Sequence, residues 1–166
     1  MSPAIIFNIQ LVLGYVPWLL GLAAYGWPWL KAMDRAEAMR AIALLHAFRF
    51  FGLVFLLPGV VGPALPAGLA YGDFATGVLA MLALMAFRRG PLFWLLALAF
   101  NVVGIVDLLV DYYHGATLGL PAVAGQLGSA YAILMIYVPV LMITHVVAFR
   151  LMLRARPVDA RRLQTA

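Results

Sequence analysis

Apolar residues gather along this chain in five long blocks, approximately 3–30, 38–57, 67–87, 91–113 and 129–153. Each supplies the roughly 20 residues a helix needs to cross about 30 Å of hydrocarbon. The pattern predicts an all-α integral membrane protein: a bundle of five transmembrane helices forming one domain over 1–154, with a basic tail over 155–166. The first block lacks a basic leader and is too long for the apolar core of a cleaved signal, so it is expected to be retained.

Polar positions between the blocks are of two kinds. "LKAMDRAEAMR", "FRRGP" and "RLMLRARPVDARRLQTA" hold every Lys and Arg except Arg49, whereas the N-terminus, "PGVVGPALPAG" and "HGATLGLPAVAGQLG" hold none. Cationic segments resist translocation, so five spans with these clusters on one side place the N-terminus outside and the C-terminus in the cytoplasm. Trp18, Trp27, Trp29, Tyr71, Tyr112, Tyr113 and Tyr131 fall mostly near block ends, where amphipathic rings suit an interface. Ala64, Gly68, Gly72, Thr76 and Ala80 recur at every fourth position, a ridge along which a neighbouring helix can approach closely. "GYVPWLL" and "IYVPVLM" set Pro17 and Pro139 at matching depth in the first and last spans, predicting a pair of kinks.

Composition narrows the function classes. With 66% hydrophobic and 10% charged residues, the chain is no water-soluble domain. The net charge of +5 lies in short clusters that act as topology signals, so no nucleic-acid partner is expected. The absence of cysteine excludes disulfides, iron–sulfur ligation and thioether-linked haem.

The remaining chemistry lies in polar residues set inside apolar blocks. "LLHAFRFFG" carries His46 and Arg49 at i and i+3, on one helix face. Counting about 1.5 Å per residue from the nearest inner arginine puts His145 at about 8 Å, His46 at about 9 Å and Arg49 at about 13 Å. The same count puts Asn101 at about 18 Å, Asp73 at about 22 Å and Asp107 at about 27 Å. A long arginine side chain can reach toward Asn101 and Asp73, with Asp107 a turn beyond. A charge in the apolar interior must find partners, so these six residues are the candidate ligand or proton site. They also suit a packing lock that fixes helix register.

Two other arrangements use some of the same residues. His46 and His145, at similar depth on separate helices, meet the minimal requirement for axial ligation of one haem b, although Arg49 lies too deep to serve its propionates. Asp107, Asp111 and His114, at i, i+4 and i+7, share a helix face as candidate ligands for a divalent metal. Enzyme signatures are missing: there is no Ser–His–Asp set at a common depth, no HExxH and no phosphate loop. The only lysine, Lys31, sits in a connector, which excludes a retinal Schiff base.

"LLHAFRFFGLVFLLPGVVGP", "AYGDFATGVLA" and "NVVGIVDLL" resemble segments of small polytopic bacterial inner-membrane proteins of unassigned function. The resemblance implies a multi-pass location in the bacterial inner membrane and no activity. The expected function is non-enzymatic: the buried cluster binds or conducts a polar or protonatable ligand, or the chain is an accessory subunit. The alternative is a haem-binding electron-transfer subunit. Membrane lipid is the expected surrounding, with a homodimer or a larger membrane complex as the assembly.

Overall fold

The computed structural model describes residues 1–60 and 68–154. Ala64 and the basic tail at 155–166 lie outside the described residues. Among those described, the regular structure is helical throughout, and five helices are long and apolar enough to cross a membrane: α1 (Pro3–Ala32), α2 (Arg35–Leu56), α3 (Gly68–Met85), α4 (Gly90–Thr117) and α5 (Ile133–Leu153).

The sequence marks several of the helix ends. Ser2 caps α1 by accepting from the Ile5 amide at 3.4 Å, and Pro3 occupies a first-turn position that needs no donor. Asp34 caps α2 through the Ala36 amide at 2.9 Å. Helix α4 runs past the expected end near residue 113. The Leu118 amide bonds the His114 carbonyl, and Gly119, at φ 71°, turns the chain where a side chain would be strained. Gly128, at φ 53°, separates α5 from the helical turns before it.

Of the two irregularities the Tyr-Val-Pro match predicts, the one at Pro139 is present and the one at Pro17 is not. Helix α1 remains α-helical through Pro17, and its wide π turn, Leu22–Gly26, stands just ahead of Trp27-Pro28. The equivalent π turn of α5, Ile133–Tyr137, stands just ahead of Val138-Pro139. In each case the residue before proline donates to the carbonyl five back, Trp27 to Leu22 and Val138 to Ile133. Proline has no N–H to continue the ordinary ladder, so the widened turn absorbs the lost bond. The matched pair is therefore Pro28 and Pro139.

Helix α1 docks on the α5 irregularity. A Cβ on Gly14 would overlap the Met135 carbonyl oxygen, the group Pro139 leaves without its usual donor, and Trp18 Nε1 donates to the Ile136 carbonyl at 2.8 Å. Trp18→Phe is expected to lower stability by about 1 kcal/mol, measured by denaturation in detergent.

Helix α2 tightens midway. After Ala47 it continues as a 3-10 helix over Phe48–Leu56, in which residues three apart align along one side. Arg49 and Gly52 thus share a buried row, while Phe48 and Phe51 stack outward with ring centroids 6.2 Å apart. Tyr137 Oη donates at 2.7 Å to the Leu45 carbonyl at this transition.

The basic residues collect at one end. Arg35 lies over the Trp94 ring and donates to the Met152 carbonyl, Arg40 lies over Phe87, and Lys31 and Arg150 flank Trp27. Beneath this end lies an apolar cluster built around Met39, Phe93, Ala97, Phe100 and Leu151. A second cluster, with Phe7, Leu120, Leu127 and Met135, fills the opposite end. The buried polar residues lie between them.

Candidate functional site

Arg49 is completely buried and reaches three helices besides its own. Its Nε donates to Asp73 Oδ1 on α3 at 2.6 Å, and its Nη2 donates to Asp107 Oδ2 on α4, also at 2.6 Å. Its Nη1 donates to the Gly104 carbonyl of α4 at 3.1 Å and meets His145 Nε2 of α5 at 3.2 Å. Four of the five guanidinium N–H groups thus have partners among the described residues.

This contact fixes the His145 tautomer. Arginine only donates, so Nε2 accepts, and Nδ1 carries the proton toward Asn101 Oδ1 at 2.9 Å. Asn101 Nδ2 in turn donates to the Ala97 carbonyl at 2.7 Å. His46 lies against the His145 ring, centroids 4.1 Å apart, and its Nε2 meets Thr144 Oγ1 at 3.0 Å. The Thr144 hydroxyl donates to the Val140 carbonyl at 2.7 Å, so it accepts from His46. His46 Nδ1 is then an acceptor, buried and without a partner among the described residues.

All six residues placed together from the sequence, His46, Arg49, Asp73, Asn101, Asp107 and His145, therefore meet in one layer. One detail differs: Arg49 reaches Asp107 directly and Asn101 only through His145. Sequence reasoning missed Thr144 and three glycines that make room for the charges. A Cβ on Gly52 would overlap the Asp73 carboxyl, and one on Gly72 would overlap the Asp107 carboxylate. A Cβ on Gly104 would stand 2.6 Å from both Arg49 Nη1 and His145 Nε2. Gly72 belongs to the small-residue ridge, but its missing side chain makes room for a carboxylate rather than a helix backbone.

The two alternative arrangements look different in three dimensions. Axial imidazoles must stand on opposite faces of a porphyrin, yet the His46 and His145 rings touch each other and both nitrogens of His145 are engaged. The pair as folded leaves no gap for a haem plane. Asp107 is drawn to Arg49, and among the described residues no three His, Asp or Glu side chains converge as a metal site, Asp107, Asp111 and His114 included. One atom of Asp111, Oδ1, and one of His114, Nδ1, are buried without partners among the described residues.

Fold and site together define a helical bundle of membrane-length apolar helices with one arginine shared between two carboxylates at its centre. The chain belongs to the family described as Domain of unknown function (DUF8737), which matches residues 6–153. No curated protein and no solved structure matches it.

Proposed function

We propose that this chain is a multi-pass protein of the bacterial inner membrane, N-terminus outside and C-terminus cytoplasmic, whose Arg49 layer binds and passes a proton without enzyme chemistry. The location is supported by the five apolar helices and by the collection of basic residues at one end, which the membrane retains on the cytoplasmic side.

The observation that carries the proton reading is charge balance. One guanidinium faces two carboxylates, and its histidine neighbour accepts from it and is therefore neutral. With both carboxylates ionised, the layer is one positive charge short of neutrality in a setting where unbalanced charge is costly. That shortage suits a proton and argues against an anionic ligand, because most of the guanidinium donors are already taken. His46 Nδ1, an open acceptor in the same layer, extends the route toward the basic end.

Infrared difference spectra across about pH 4 to 9 test this. A carboxylic-acid band that appears and disappears with pH in the wild type, and vanishes in Asp107→Asn, is the expected result. No titrating band from Asp73 or Asp107 sinks the reading. The same variant is expected to slow proton entry into proteoliposomes loaded with a pH dye by about tenfold, a change of about 1.4 kcal/mol in barrier.

A second reading is favoured by the number of helices Arg49 ties together: an accessory subunit whose central pair only fixes packing. It predicts unaltered proton entry in Asp107→Asn liposomes despite reduced stability.

A further inference from the structure

A partly enclosed cavity of about 140 Å³ lies at the end of the bundle away from the basic residues, between the start of α1, the last turns of α4 and the start of α5. Its wall is mostly apolar, with Phe7, Leu11, Leu134 and Val138 contributing, and Asn8, Asp111 and Tyr112 bring polarity.

Asp111 is the group there without an explanation. It lies one turn beyond Asp107, but the Arg49 guanidinium serves Asp73 and Asp107 and gives it no hydrogen bond. Its Oδ1 is shut off from solvent and has no donor among the described residues. Tyr112 Oη, the nearest side-chain hydroxyl in sequence, is engaged with Tyr15 Oη at 2.5 Å. A carboxylate in that state against an apolar wall lacks a counter-charge carrying N–H donors.

We propose that this cavity binds a small organic ammonium ion, with Asp111 as its counter-charge. The apolar wall takes the hydrocarbon part, and aromatic residues Phe7 and Tyr112 stand in that wall. An anion is disfavoured by the Asp111 carboxylate, and a neutral apolar molecule would leave Asp111 without a donor. A bare metal ion would find one carboxylate where it needs several oxygens. The site is separate from the Arg49 layer and does not depend on that layer passing protons.

The test compares phenethylammonium with its neutral isostere 2-phenylethanol, bound to the full chain in uncharged-lipid nanodiscs and read by calorimetry. Wild type is expected to prefer the ammonium by about tenfold or more, and Asp111→Asn to bind both equally. Ala116→Leu, which fills the cavity and keeps the carboxyl, is expected to weaken the ammonium by a similar factor and serves if Asp111→Asn does not fold. Asp107→Asn is expected to keep the preference within about threefold, so that loss of its infrared band and loss of ammonium binding report on different sites. Equal binding of the two probes by wild type overturns the proposal, as does an undiminished preference in Asp111→Asn or in Ala116→Leu.

Discussion

Arg49→Leu is expected to destabilise the bundle by about 3 to 5 kcal/mol, read by thermal or detergent-induced unfolding of purified protein. The cost arises less from the lost attraction than from what remains. Asp73 and Asp107 would face each other inside an apolar interior, and the Gly104 carbonyl and His145 Nε2 would lose their donor. A rescue experiment distinguishes this cause from simple loss of packing. Removing both carboxylates in the same background, as Arg49→Leu with Asp73→Asn and Asp107→Asn, is expected to recover at least half of the loss, because neutral groups are cheaper to bury than unpaired charges. A single variant as stable as wild type, or a triple variant no better than the single, would show that the charge layer does not hold these helices together.

Gly72→Ala is the second large effect. The added methyl group occupies the position of the Asp107 carboxylate, which must swing away from Arg49. Overpacking costs about 1 to 3 kcal/mol, and losing a hydrogen bond to a charged group adds about 1.5 to 3. Gly21→Ala is the control: a Cβ there meets nothing within 4 Å, so the better helix propensity of alanine leaves stability unchanged or raises it by up to about 1 kcal/mol. Similar effects at the two positions would mean that the space beside Asp107 is not what Gly72 supplies.

The central layer was readable from the chain because a charge inside an apolar run cannot stay alone. Once the basic clusters gave a common zero of depth, His46, Arg49, Asp73, Asn101, Asp107 and His145 had few partners other than one another. Gly52 and Gly104 were not readable in the same way. A glycine reports only an absence, and what fills it, the Asp73 carboxyl or the Arg49–His145 contact, comes from another helix. The 3-10 stretch of α2 was hidden because its period of three and the α period of 3.6 both put Arg49 and Gly52 on nearly the same side over so short a distance. The π turn before Pro28 is hidden in the sequence for a related reason. The repeated Tyr-Val-Pro marks Pro17, but a proline's local sequence does not say whether its helix widens or stays regular. The metal spacing of Asp107, Asp111 and His114 showed only that three side chains leave one helix face, and the pull of Arg49 on Asp107 decides where that one goes.

The seat of α1 has a consequence for biogenesis. None of the Arg49 layer lies on this helix, and its indole anchor, Trp18, grips a carbonyl 118 residues later in the chain. Because α1 precedes α5 in the chain, this anchor forms only after α5 has been made, whereas the Tyr15–Tyr112 contact can tie α1 to α4 before then.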